Sequence, residues 1–185
     1  SFIDVDHDGS LDLWVPQHNY GGATGGIFLQ NDRLFRGDGA GGFADVTFAM
    51  GLETQGWVDT TIIDMGLAHT RAWSANACDL NDDGFAELLA ASYGRSPNHL
   101  WQARPDGTGF DNRSVASGYA YDDDMRWDDN QYARCFCRAN RMAVDCADVP
   151  PPTVLCANNW NHDTDRSPWR LGGNSGATIC SDIDN

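Results

Sequence analysis

Short apolar runs alternate with acidic, glycine-containing segments along this chain, and the alternation predicts short strands joined by tight loops. The clearest acidic segment is residues 4–12, DVDHDGSLD, which leads directly into the apolar residues 13–15. Residues 79–87, DLNDDGFAE, lead in the same way into the apolar residues 88–90. We interpret each acidic segment as a loop that is followed by a buried strand, and we name them the first loop and the second loop.

The likeness between these two segments continues downstream, which indicates an internal repeat. Residues 31–35, NDRLF, are matched by residues 98–101, NHLW, and a Gly-Phe pair follows at residues 42–43 and 109–110. Each unit should contain a strand after the loop and a strand at each of these later matches. A fourth strand should precede the next loop, at Thr60–Met65 in the first unit. Four short strands per unit are typical of a β-propeller blade.

The spacing of the acidic loops divides the chain into units. The first unit covers residues 1–78, the second covers 79–181, and residues 182–185 begin a third, truncated repeat. The second unit is longer because it includes a stretch of about 120–175 that holds four of the six cysteines and three consecutive prolines. We predict that this stretch is a disulfide-rich insertion. The chain should then be an all-β fragment of a longer protein, with roughly two to three propeller blades, almost no helix and no closed propeller of its own.

Both complete loops have the ligand spacing of a calcium site. Calcium binds six to eight oxygens, and a loop with ligands at positions 1, 3, 5, 7 and 9 and glycine at position 6 can wrap one ion. The predicted ligands of the first loop, with a backbone carbonyl at position 7, are Asp4, Asp6, Asp8, Ser10 and Asp12. Those of the second loop, again with a carbonyl at position 7, are Asp79, Asn81, Asp83, Phe85 and Glu87. The truncated third loop offers Asp182 and Asp184.

The number of carboxylates among the predicted ligands differs between the two loops. Four in the first against three in the second predict tighter calcium binding by the first. An EF-hand loop opens in the same way, but it requires a glutamate at position 12 and flanking helices. Position 12 is Val15 in one loop and Ala90 in the other, and strands are expected to follow. Solvated acidic turns without metal are the remaining alternative, and the recurrence of the motif favours metal binding.

The net charge of the chain limits the classes of partner that it can be expected to bind. The chain has 27 acidic and 12 basic residues, a net charge of −15. Such a surface repels nucleic acid and anionic lipid, whereas it suits a protein that holds hard cations. We therefore expect no nucleic-acid partner, and no apolar run is long enough for a membrane span.

The cysteines are even in number, and in this acidic, glycine-rich background we interpret them as disulfides made in an oxidising compartment. They are Cys78, Cys135, Cys137, Cys146, Cys156 and Cys180. Six cysteines allow 15 connectivities, and the sequence does not choose among them. The insertion should be held mainly by its own bridges. A zinc site that uses insertion cysteines and His162 is the alternative, and the spacing disfavours it because no CxxC pair is present.

With the loops, the NDRLF segment and the Gly-Phe pairs, the chain resembles the FG-GAP/VCBS repeats of integrin-α-like propellers. The stretch NDRLFRGDGAGGFADVT is most similar to the cartilage acidic protein-like group. The resemblance covers residues 1–118 and resumes at about residue 177. It implies a secreted or cell-surface calcium-binding propeller that serves binding, adhesion or assembly, with a protein or glycan ligand or self-assembly. The alternatives are a non-catalytic propeller module of a secreted hydrolase or lyase, and a subunit of a surface filament.

Other motifs carry less weight. No nucleophile elbow, zincin helix or phosphate-binding loop is present, so we do not expect an enzyme. The tripeptide Arg36-Gly37-Asp38 matches an integrin-recognition motif, but its place in the repeat favours a turn. Asn112 begins an N-x-S sequon, and we consider it a candidate glycosylation site.

Overall fold

A computed structural model describes residues 1–18, 31–55, 65–67, 69, 72–92, 97–120, 131–143, 146–156 and 175–181. Eight strands in this part of the chain form two four-stranded sheets. The first sheet contains β1 Phe2–Ile3, β2 Asp12–Val15, β3 Arg33–Gly37 and β4 Phe43–Asp45. The second sheet contains β5 Ala72–Cys78, β6 Glu87–Ser92, β7 His99–Ala103 and β8 Phe110–Asn112. In each sheet the strands pair antiparallel in chain order, which confirms the all-β expectation at this level.

The two sheets have the same register. Leu13 pairs with Phe35 in the first sheet, and Leu88 pairs with Trp101 in the second. Each acidic loop begins at the same distance before these leucines, so every residue of the first loop, β2 and β3 has a counterpart at the same relative position in the second loop, β6 and β7. The pairing of Phe35 with Asp45 and of Trp101 with Asn112 extends this equivalence to β4 and β8. We use the word counterpart in this sense below.

Each acidic loop is the turn between the first two strands of its sheet. Strand β5 ends at Cys78 and pairs with β6 across the second loop, so the sheets begin one strand before the predicted repeats. The predicted boundary between residues 78 and 79 consequently falls inside the second sheet. Of the strand predicted at Thr60–Met65, residues 60–64 lie outside the described residues, and Met65 begins a turn.

The core lies between the two sheets. Trp14, Leu34, Leu88 and Trp101 are almost completely buried and belong to one apolar cluster. Burial alternates along β2 and β7, as expected for strands with one covered face. The indole Nε1 of Trp14 also donates a hydrogen bond to the carbonyl oxygen of Leu89, at 3.1 Å, so the first sheet is bonded directly to β6. All six residues of β6 are buried.

The stretch predicted as an insertion contains one short helix, so the described residues hold little helix, as expected. Helix α1 covers Gln131–Ala139, and two of its residues form disulfides, Cys135 with Cys156 and Cys137 with Cys146. Residues two apart on an α-helix are separated by about 200° around its axis. The two disulfides therefore leave α1 on nearly opposite sides and tie it to both following segments. The apolar pattern gave no sign of this helix because its buried positions are cysteines, which disulfides hold in place.

The third disulfide joins Cys78, at the end of β5, to Cys180. All six cysteines are thus paired, and the prediction of full oxidation agrees with the structure. Three disulfides fit an oxidising environment. Within the described residues, no helix has the length and apolar character needed to cross a membrane.

Candidate metal centre

The first aspartate of each loop organises the turn. In the first loop, Oδ1 of Asp4 accepts the amide of Asp8 at 3.1 Å, and Oδ2 accepts the amide of Gly9 at 3.0 Å. In the second loop, Asp79 accepts the corresponding amides of Asp83 and Gly84 at 3.2 and 2.8 Å. The two loops therefore close in the same way.

The position-5 aspartates also make matching contacts. Oδ1 of Asp8 accepts the amide of Ser10 at 2.7 Å, and Oδ1 of Asp83 accepts the amide of Phe85 at 2.8 Å. At position 6, Gly9 and Gly84 have φ values of 88° and 91°. Residues with side chains rarely adopt this left-handed conformation, so glycine is needed there.

The position-9 carboxylates lie under the loops. Asp12 is fully buried, and its two oxygens accept the amides of Val5 and Gly37, each at 2.9 Å. Glu87 is also buried, and its Oε2 atom accepts the amide of Leu80 at 2.8 Å. Strand β3 supplies Gly37, where a Cβ atom would collide with the carbonyl oxygen of Leu11. Each position-9 carboxylate thus joins its loop to its sheet.

Burial raises the pKa of Glu87, and the negative charges of Asp83 and Asp79 raise it further. The hydrogen bond from the Leu80 amide opposes this shift. A divalent cation among these carboxylates would favour their ionised forms, because an opposite charge nearby stabilises a carboxylate.

Position 3 is where the two loops differ. Asp6 forms an ion pair with Arg36, with 2.8 Å between Oδ2 and Nε. Asn81 instead donates its side-chain amide to Oδ2 of Asp83 at 3.0 Å and, more weakly, to Oε1 of Glu87 at 3.4 Å. The negative charge of the first loop is thus offset by Arg36 of β3. In the second loop, the side-chain amide of Asn81, which belongs to the loop itself, bridges the carboxylates.

The first loop brings three carboxylates together. Oxygen atoms of Asp4, Asp6 and Asp8 lie within 4.8 Å of one another, close enough to share one ion. The Oδ1 atom of Asp6 is buried and accepts no hydrogen bond, so it is available as a ligand. Carboxylate oxygens in this number suit calcium, which prefers hard oxygen donors. In the second loop Asn81 would supply an amide oxygen in place of the third carboxylate.

The loops also contact each other. The ring of His7, between two predicted ligands of the first loop, stacks on the ring of Phe85 in the second, with centroids 4.6 Å apart and planes inclined by 14°. His7 and its counterpart Asp82 both have a φ of 59°, which turns their side chains out of the ligand sets. The two candidate sites are therefore neighbours.

The remaining predicted residues are placed as follows. Asp182 and Asp184 lie outside the described residues, as does His162. The disulfides occupy all four insertion cysteines, which argues against the zinc alternative. Asn112 donates its side-chain amide to the carbonyl oxygen of Gly66 at 3.0 Å.

The Arg36-Gly37-Asp38 tripeptide is engaged within the chain. Arg36 pairs with Asp6, and Gly37 is buried in β3. Oδ1 of Asp38 accepts the amides of Ala40 and Gly42, both at 2.8 Å, and these bonds lower the pKa of Asp38. The turn interpretation fits this geometry.

A buried polar cluster between the sheets was missed by sequence reasoning. Oδ1 of Asp32 accepts the amide of Gln17 at 2.7 Å, and its Oδ2 lies 3.6 Å from Nδ1 of His99. Thr54 and His69 form a short hydrogen bond nearby, at 2.6 Å. Burial lowers the pKa of His69, the Asp32 carboxylate opposes this, and His99 adds to it.

The signal for this cluster was present in the matched NDRLF and NHLW segments. Asp32 is the counterpart of Asn98, whose Oδ1 accepts the amide of Ser92 at 2.8 Å, just as Asp32 accepts that of Gln17. The strand register aligns Leu34 with Leu100. An alignment on Asn31 and Asn98 is shifted by one residue and therefore hides this equivalence.

Comparison with known proteins gives no relative for this chain: no protein-family model, no curated protein and no solved structure matches it.

Proposed function

We propose that this chain is a calcium-binding part of a β-propeller, in which each acidic loop holds one ion between the first two strands of its sheet. The observation that carries the proposal is the pair of loops with matching backbone hydrogen bonds, one of which gathers three carboxylates around a common point.

The ligand chemistry supports calcium over other metals. The clustered groups are carboxylates, with backbone carbonyls of Ser10 and Phe85 as the expected position-7 ligands. Softer metals prefer imidazole or thiolate, and neither is part of the loops' ligand sets. Each ion would reduce the repulsion among its carboxylates and hold the first two strands of its sheet together. The free energy of binding would then add to the stability of the sheet.

The propeller part of the proposal is supported by the two four-stranded antiparallel meanders, which share one apolar core. A chain of this kind serves as a binding, adhesion or assembly module, with a protein or glycan ligand. The three disulfides support a location outside the cell or on its surface.

Melting temperature with calcium and with a chelator tests the proposal. We expect calcium to raise the melting temperature, by an amount that grows with its free concentration, because the ion binds the folded chain. Isothermal titration of the metal-free protein with calcium alone should show at least two sites. Superimposed melting curves and no heat of binding would contradict the proposal.

A pair of aspartate variants localises the ion. Asp8→Ala should remove one calcium equivalent, because it deletes a carboxylate of the cluster. Asp106→Ala is the matched control, since Asp106 accepts the amide of Thr108 at 3.0 Å in the same type of turn but lies outside the loops. It should retain all calcium equivalents of the wild type. Equal stoichiometry in both variants would contradict the assignment of the first site.

A further inference from the structure

A positive charge is held beside the carboxylates of the first loop. Arg36 reaches this loop from β3, and its ion pair joins it to Asp6. The Asp6 side chain is only 16% exposed, so water screens the pair incompletely. The Nε atom of Arg36 makes no aligned hydrogen bond, and the contact is therefore chiefly one of charge. A calcium ion at this cluster would meet a cation already in place.

The second loop has neither of these two charges. The counterpart of Asp6 is Asn81, and the counterpart of Arg36 is Gln102, because Leu88 pairs with Trp101 as Leu13 pairs with Phe35. Oε1 of Gln102 accepts Nε of Arg113 at 3.0 Å. A cavity of about 300 Å³ is lined by Asn81, Gln102 and Arg113. Arg113 is bonded to Gln102, so the cation at this cavity is not paired with a carboxylate of the second loop as Arg36 is paired with Asp6.

The exchange at the two positions leaves the charge around the two predicted ligand sets equal. In the first loop, four carboxylates and the guanidinium of Arg36 give a net charge of three negative units. The predicted ligands of the second loop reach the same net charge with three carboxylates, those of Asp79, Asp83 and Glu87, because Asp82 at position 4 lies outside the ligand set. The position-3 carboxylate of Asp6 and the guanidinium of Arg36 occur together in the first sheet, and both are replaced by uncharged side chains in the second.

We propose that Arg36 sets the calcium affinity of the first loop by competing with the ion for Asp6, so that the two loops bind calcium with similar affinity. This inference rests on the proposed function. It replaces the expectation, based on counting carboxylates, that the first loop binds more tightly. To use Asp6 as a ligand, calcium must either displace the guanidinium or bind beside it, and both weaken binding.

Isothermal titration with calcium alone, in an Asp83→Ala background that silences the second loop, tests the role of Arg36. Arg36→Gln, which installs the residue of the second sheet, should tighten binding about tenfold, as Coulomb's law in water gives for a divalent ion and a unit charge at short range. Arg33→Gln is the matched control. Arg33 lies on the same strand, pairs with Asp45 and is equally exposed, at 43% against 42% for Arg36. It should change the affinity less than about twofold, because Arg33 is paired with Asp45 and not with a carboxylate of the loop. Unchanged or weaker binding by Arg36→Gln would overturn the inference.

A transplant into the second loop gives an answer even if Arg36→Gln fails to fold. In an Asp8→Ala background, Asn81→Asp should tighten calcium binding by the second loop, and adding Gln102→Arg should reverse the gain. If the arginine has no effect there, Arg36 is only a structural counter-ion and the inference is wrong. If the parent chain binds no calcium, the proposed function itself fails. If the parent binds calcium and its variants do not differ, only the role of Arg36 fails.

Discussion

In the first loop, Asp12 accepts backbone amides from both the loop and β3, while Asp6 takes its counter-charge from Arg36. In the second loop, Glu87 accepts one backbone amide, and Asn81 bridges the carboxylates from within. The first loop is thus tied to the third strand of its sheet, whereas the second is largely self-contained. Identical backbone turns can therefore be supported by different parts of a sheet.

The loops also differ in what precedes them. Strand β1 has two residues, and β5 has seven and ends in the Cys78–Cys180 disulfide. The first loop consequently depends on noncovalent contacts, and the second has a covalent anchor next to its first ligand.

The largest expected effect comes from removing the Cys78–Cys180 disulfide, which anchors the second loop and not the first. Replacing both Cys78 and Cys180 by serine should lower the free energy of unfolding by about 4–5 kcal/mol, because the bridge closes a loop of about 100 residues in the unfolded chain. Calcium binding by the second loop should weaken, and binding by the first should persist. Urea unfolding and calcium titration measure the two effects.

The control for this double variant removes a short bridge. Replacing Cys137 and Cys146, which are nine residues apart, should cost only about 2–3 kcal/mol and leave both calcium sites intact. Equal losses of stability in the two double variants would show that the loop-closure argument does not apply here.

The next effect compares the position-9 carboxylates. Asp12→Ala leaves two buried amides without an acceptor and should cost about 2–6 kcal/mol, whereas Glu87→Ala leaves one partly exposed amide, that of Leu80, and should cost about 1 kcal/mol. Both variants should be unfolded in urea with a chelator present, so that calcium does not contribute. Asp12→Asn keeps one acceptor oxygen and should fall between wild type and Asp12→Ala. A larger loss at Glu87 than at Asp12 would reverse the comparison.

The smallest effect concerns pH and compares Asp45 with its counterpart Asn112. The hydroxyl and amide of Thr47 donate to Oδ1 of Asp45 at 2.7 and 3.0 Å and lower its pKa below the usual 3.8, with a smaller contribution from Arg33. Since the pKa is lower in the folded chain than in the unfolded chain, the stabilisation is complete above about pH 4 and is lost as pH falls through the folded value.

Urea unfolding at neutral and acidic pH should therefore show a smaller loss of stability on acidification for Asp45→Asn than for the wild type. The converse variant, Asn112→Asp, keeps the acceptor of the Ser114 amide but sets a carboxylate oxygen against the Gly66 carbonyl, so it should lose stability at neutral pH and regain part of it on acidification. The effect is small, since the Asp45 side chain is 41% exposed. Identical pH profiles for all three proteins would contradict it.

Much of the fold followed from the sequence because the local signals agreed. The acidic turns, the apolar residues after them and the Gly-Phe pairs all lie close together along the chain, and six of the eight strands begin or end at these features. Helix α1 was missed because disulfides to Cys146 and Cys156, rather than an apolar stripe, hold it in place. That pairing depends on distances in space that the spacing of cysteines does not contain.

The ligand spacing in the loops was also local, but the balance of charge was not. Arg36 lies 30 residues after Asp6, and nothing in the intervening sequence indicates that they meet. Its role becomes visible only when strand register identifies Gln102 as its counterpart. The cluster of Asp32, His69 and His99 was missed for the same reason, since it joins distant segments across the sheet interface.

The Cys78–Cys180 disulfide also determines how the chain carries mechanical load. When the chain is pulled on both sides of this pair, tension passes from residue 78 to residue 180 through the two sulfur atoms and bypasses the polypeptide between them. About 350 Å of extensible chain is thereby shielded, at roughly 3.4 Å per residue. Strands β6–β8, the helix and the second loop lie in the shielded part, whereas the first loop lies on the loaded side. Under force, the first loop should open while the second loop keeps its shape.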